Sequence, residues 1–110
     1  MLIFTLKKEW YEKIRRGEKT VEYRELKPYW TSRIRHELIR HEFSRQFVPQ
    51  FDRDGKAACL FDCAIRLGYT KQCLKAEIVK IVIVDGKYTD LAIDAPVYAI
   101  HLADVREGKV

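Results

Sequence analysis

No stretch of this sequence approaches the ~20 consecutive apolar residues that a membrane-spanning helix needs. The longest β-rich run is IVIV at 81–84. No leader is expected from the first residues: in MLIFTLKKEW the lysines follow the apolar residues, and only six positions precede them. That order and length do not make a signal peptide. Cysteine is scarce and odd in number, so Cys59, Cys63 and Cys73 cannot all pair within one chain. Cys59 and Cys63, four apart in an apolar run, read as buried small hydrophobes. His36, His41 and His101 share no local motif with them. The paired spacings of a zinc site are therefore absent, and neither a metal nor another cofactor is expected. Thiols without an export signal point to the cytoplasm. There is no internal repeat and no low-complexity segment.

What is present fits a soluble globular protein: 47% apolar and 34% charged residues exclude a disordered chain. The 110 residues suffice for one domain, 1–110. A chain of this size buries roughly 65% of its unfolded surface, so one unstapled core is feasible. The net charge of +5 is lopsided. Residues 1–46 hold 12 Lys/Arg against 7 Asp/Glu, whereas residues 47–110 hold 9 against 9. A one-sided positive field attracts phosphates; a solvated pair of basic helices accounts for the same numbers.

Along the chain, Leu2 to Leu6 suit a buried strand. Residues 7–16 then read as a helix, with Leu6, Trp10 and Ile14 at i, i+4, i+8 and Tyr11 widening the stripe. Gly17 stands where a helix ends in the left-handed conformation. From Lys19 to Arg24 the period becomes two. Val21 and Tyr23 share one face, and Thr20, Glu22 and Arg24 the other. Lys27-Pro28 breaks this strand and opens a second helix over 29–46. Trp30, Ile34, Leu38 and His41 form its inner stripe, while Ile39, Phe43 and Phe47 form a second stripe suited to the core or to a homodimer contact. Arg33 and Glu37 are expected to be an exposed i,i+4 pair. VPQFDRDGK at 48–56 reads as a loop, followed by strands at 57–67, 74–84 and 97–105. Strands in a run, with both helices early in the chain, argue for α+β and not for a parallel doubly wound sheet. A small mixed or antiparallel β-barrel flanked by two helices fits these lengths.

The stretch GEKTVEYRELKPYW at 17–30 has two meanings. Its polar strand face either looks into solvent or turns inward, where buried charges need partners. Turned inward, Arg24 can grip a carboxylate or phosphate with its planar fork, and Lys19 adds a point charge. Glu22 can accept from the amino group of a base. Tyr29, Trp30 and Tyr69 are candidate stacking surfaces, against which Trp30 also suits helix packing. Arg66 lies on the same strand face as Asp62, a ready partner.

At Gly17, Lys19, Glu22 and Arg24 the chain resembles the ASCH domain family of the PUA-like superfamily. The continuation RELKPYW, IRLGY at 65–69 and VYAIHLADV at 97–105 extend the likeness over nearly the whole length. The resemblance implies a PUA-like barrel with a cleft lined by Lys19, Glu22 and Arg24. It also implies a nucleotide, a modified base or single-stranded RNA as partner, and no membrane. The expected ligand-contacting set is Lys19, Thr20, Glu22, Arg24, Tyr29, Trp30, Arg66 and Tyr69. Some ASCH relatives are amidohydrolases of N4-acetylcytidine that use a lysine, a threonine and a glutamate, and another branch is linked to RNA cleavage. If this chain is an enzyme, Lys19 and Glu22 are its catalytic candidates. It departs from the amidohydrolase pattern, because Glu22 stands at the threonine position. The acidic partner has no counterpart by spacing, with Asp90 and Asp94 as the substitutes to consider.

Overall fold

In a computed structural model, which describes residues 1–41 and 60–109, the first apolar run forms β1 (Leu2–Leu6). Leu2, Phe4 and Leu6 are buried, while Ile3 and Thr5 face outward. Helix α1 (Lys8–Arg15) follows, with Tyr11 and Ile14 fully buried and Trp10 packed at the core's edge. Each such side chain contributes about 1.5–3 kcal/mol when removed from water.

The end of α1 shapes what comes next. Gly17, at φ 78°, donates its N–H to the Ile14 carbonyl at 3.1 Å, and Glu18 donates to the Lys13 carbonyl at 2.9 Å. This reciprocal closure is a Schellman motif, which glycine forms without the Cβ penalty of left-handed backbone. Lys19 N–H shares the Lys13 carbonyl at 3.1 Å. The chain thus reverses against α1 and enters β2 (Val21–Glu25) with Lys19 beside the helix.

Helix α2 (Pro28–Arg40) opens on its proline. Its stripe is as expected: Ile34 and Leu38 are buried, Trp30 packs on the core, and His41 stacks on Phe61 at 5.4 Å. Ile39 is 62% exposed; Phe43, Phe47, Cys59 and the loop at 48–56 lie outside the described residues. The expected exposed Arg33–Glu37 pair is not formed. Glu37 is buried, and its carboxylate meets the Met1 amino group at 2.7 Å, Arg40 at 3.8 Å and His41 at 3.4 Å. Arg33 instead lies over the Tyr29 ring at 4.2 Å. An i,i+4 spacing offers a pairing, but here the opposite charge of β1's end competes for the same carboxylate.

Strands β3 (Phe61–Leu67), β4 (Gln72–Asp85) and β5 (Pro96–Lys109) complete the sheet, with a 3-10 turn at Gly86–Tyr88 between the last two. β4 and β5 are longer than their periodicity predicts. Asp104 adopts φ 49°, the register shifts between Lys75 and Glu77, and pairing then resumes from Lys75–Arg106 to Gln72–Lys109. Such a bulge interrupts the alternation that marks a strand in sequence.

The strand order is β1-β3-β4-β5-β2, with β1 parallel to β3 and every other pair antiparallel. β1 and β2 are thus opposite edges, yet Arg24 of β2 lies over the Phe4 ring of β1 at 5.4 Å. The sheet therefore curls into a half-barrel. α1 lies against β3 and β5, and α2 against β1. The Thr31 and Tyr98 hydroxyls bond at 2.7 Å and tie α2 to β5. Among the described residues this is a mixed α+β fold with two α-helices. Among the described residues no helix is long and apolar enough to cross a membrane.

Candidate functional site

The register of β2 on β5 decides which way the polar face looks. Glu22 pairs with Ile100 and Arg24 with Tyr98, both members of the hydrophobic core cluster, whereas Val21 and Tyr23 pair with His101 and Ala99, which lie outside it. Directly opposed residues share a face, so Glu22 and Arg24 turn inward. Glu22 is 5% exposed.

A carboxylate so placed needs partners, and Glu22 has only some of them. Its Oε1 accepts from the Tyr23 N–H at 3.2 Å and lies 3.9 Å from Arg24 Nη1. Its Oε2 is buried without a hydrogen-bond partner, as is Arg24 Nε. Burial pushes the Glu22 carboxyl above the usual range, more than Arg24, Lys19 and the Tyr23 N–H draw it down, and Asp90 adds to the rise. The Arg24 guanidinium is held over Trp30 at 5.1 Å and over Phe4 at 5.4 Å, and those two rings stack on each other at 5.4 Å. Weakly hydrated guanidinium suits such aromatic faces.

Lys19 occupies the adjoining surface. Its ammonium pairs with Asp90 and lies over the Trp10 and Tyr23 rings at 5.1 and 5.2 Å. Thr20, Val21 and Glu18 complete a concavity of about 260 Å³. Among the described residues its walls do not include Glu22 or Arg24. The strand begins at Val21, so the alternation does not reach Thr20, which joins Lys19 and not Glu22. Asp90 arrives through the loop after the 3-10 turn. Gly86 N–H donates to the Ala95 carbonyl at 2.8 Å, and its own carbonyl accepts from Thr89 at 3.2 Å and Ile93 at 3.3 Å. A Cβ on Gly86 would stand 2.5 Å from the Ala95 oxygen, so this closure depends on glycine. Asp94 faces another depression, with Ile83 and Pro96.

Trp30 serves as both core packing and a platform for Arg24, and Tyr29 meets it edge-on at 5.1 Å. Tyr69 is 97% exposed in the turn between β3 and β4, and Arg66 lies on β3, three strands from β2 in the sheet. Neither is drawn into the Glu22–Arg24 contacts. Phe4 and Trp10 are the neighbours that sequence patterning assigns to packing alone. Their part at the site follows from the curl of the sheet and the turn at Gly17, which no local spacing signals. Among the described residues no three His, Cys, Asp or Glu side chains gather as metal ligands.

No match decides the family. A scan of protein-family models finds none for this chain, and neither the curated proteins nor the solved structures yield one.

Proposed function

We propose that this chain is an ASCH-type, PUA-like domain that binds RNA or a nucleotide through the inward face of β2. Glu22 Oε2 and Arg24 Nε, both buried without a partner, carry the proposal. They are an unmet acceptor and an unmet donor two residues apart on one strand face, from side chains that approach at 3.9 Å. The exposed edges of cytosine and adenine carry the complement, an amino group next to a ring nitrogen. Unmet buried polar groups cost about 1–3 kcal/mol each, a cost that a ligand supplying both bonds relieves. The Lys19 ammonium, at the adjoining surface, suits a phosphate of the same ligand. The protonation state of Glu22 selects the ligand: ionised it accepts from an amino group, and neutral it donates.

The test is fluorescence anisotropy with short single-stranded RNA at two salt concentrations. Lys19→Ala is expected to weaken binding about tenfold, the loss of one charge-assisted contact. Arg24→Lys keeps the charge that Glu22 needs but removes the planar fork, and is expected to weaken binding by a similar factor. Unchanged affinity in both variants rules out the site.

One contact favours a second reading. Asp90 pairs with Lys19, and on this reading it would stand in for the acidic partner of an N4-acylcytidine amidohydrolase. Asp90 would take a proton from water as the water oxygen attacks the acyl carbon, Lys19 would steady the oxyanion, and Asp90 would return that proton to N4 as the amide C–N bond breaks, leaving acetate and cytidine. Incubation with N4-acetylcytidine should then release cytidine and acetate, with turnover lost in Lys19→Ala. Absence of release removes this substrate.

A further inference from the structure

Outside the β2 site, α2 carries three arginines against one acidic residue. Arg33, Arg35, His36 and Arg40 are exposed, whereas the acidic member of the helix, Glu37, is buried and engaged with the Met1 amino group. The solvent face of α2 is therefore cationic, with Glu37 alone beneath it, shared between the Met1 amino group at 2.7 Å and Arg40 at 3.8 Å. A concavity of about 490 Å³ runs along it, walled by Tyr29, Arg33, His36 and Arg40 over a floor of Leu2 and Glu37.

This face connects with the β2 site through ring contacts. Arg33 lies over Tyr29 at 4.2 Å, Tyr29 meets Trp30 at 5.1 Å, and Trp30 carries Arg24 at 5.1 Å. Arg24 in turn lies beside Glu22. The ladder thus leads from the buried carboxylate to an open row of cations. Tyr29, 56% exposed, stands where the two meet. Successive residues 33, 36 and 40 span about two helical turns, some 10 Å at 1.5 Å per residue. That length covers more than one phosphate of a single strand. A free nucleoside or mononucleotide held at Glu22 and Arg24 would leave the row unused.

We propose that the α2 face is a phosphate track, and that the ligand is a single-stranded RNA segment with one base at Glu22–Arg24 and its neighbouring phosphates on Arg33 and Arg40. This rests on the β2 reading and extends it from a base to a strand. Aromatic platforms joined to a cationic groove are the usual means of holding single strands, and each neutralised phosphate adds to the salt dependence.

The experiment compares Arg33→Gln/Arg40→Gln with Arg24→Lys. Each is titrated with a fluorescein-labelled 12-nucleotide single-stranded RNA at 50 and 200 mM salt, and with cytidine or adenosine monophosphate. Both arginines of the double variant are exposed, and melting curves confirm its fold. The double variant should lose at least tenfold in 12-mer affinity, and its log–log salt slope should shrink by about 1.4, two contacts at ~0.7 each. Mononucleotide affinity should stay within twofold. Arg24→Lys should weaken both ligands. An unchanged 12-mer affinity and slope in the double variant, with Arg24→Lys still impaired, overturns the track and leaves the β2 site standing. An equal loss for 12-mer and mononucleotide also overturns it, since the arginines would then act on the base site. If Arg24→Lys changes neither ligand while the double variant still loses the 12-mer, the β2 reading fails and so does the joined site.

Discussion

Arg24→Ala should destabilise the protein by roughly 3 kcal/mol at pH 7, the low end of what removing one partner from a buried ion pair costs. Glu22 would remain inside with the Tyr23 N–H at 3.2 Å and the charge of Lys19 to steady it. The low end applies because the pair is loose, at 3.9 Å, and Arg24 keeps partial contact with solvent. Part of the loss is packing, since Phe4 and Trp30 would lose the guanidinium that bridges β1, β2 and α2. The two contributions separate in a double-mutant cycle. Glu22→Gln added to Arg24→Ala removes the stranded charge and should restore most of the electrostatic share, leaving the packing share. Urea denaturation of the four proteins measures the coupling, expected to exceed 1 kcal/mol. Additivity within about 0.5 kcal/mol would mean that Glu22 and Arg24 do not sense each other.

That coupling is also where sequence and structure part company. The alternation Val21, Glu22, Tyr23, Arg24 announces a strand with one polar face, because the period of two is a local property. Gly17 announces the turn before it for a similar reason: left-handed backbone is a local demand. The stripe Ile34, Leu38, His41 is legible on the same grounds. Whether the polar face looked in or out was not, because it depends on Ile100 and Tyr98, more than 70 residues away, lying opposite. The curl that brings Phe4 to Arg24 has no local signature either, since β1 and β2 are opposite edges joined through three intervening strands. Asp90 and Asp94 are indistinguishable by spacing. The hydrogen bonds of Gly86 separate them by folding the loop so that Asp90 meets Lys19. Glu37 shows the opposite failure. A local rule offered it Arg33, and a non-local cation took its place.

Glu22→Gln alone should stabilise the protein at neutral pH and flatten part of its stability–pH profile. Burial raises the Glu22 carboxyl above its ordinary value of 4.5, with Arg24, Lys19 and the Tyr23 N–H opposing and Asp90 reinforcing the rise. Between the ordinary value and the raised one, the folded chain holds more protons than the unfolded chain. Stability therefore falls as pH climbs through that window, and the deficit persists above it. Glu37 has the opposite sign. Burial alone would raise its carboxyl, but the hydrogen bond and charge of the Met1 amino group, with Arg40 and His41, outweigh it and bring the value below 4.5. Its contribution is present above the ordinary range and is lost as pH falls through the lowered value. The two carboxyls thus act on opposite sides of pH 4.5, which lets one variant be read without the other. Melting temperatures of the native chain and Glu22→Gln, taken from pH 4 to 8, should diverge progressively above about pH 4.5, with Glu22→Gln the higher. Glutamine keeps an acceptor for the Tyr23 N–H and adds a donor, while the loss of Arg24's counter-charge is already contained in the net rise of the Glu22 carboxyl, so the divergence with pH is the readout. A constant offset across the whole range would show that the Glu22 carboxyl titrates as it does in water, and the inward-facing charge would no longer be tenable.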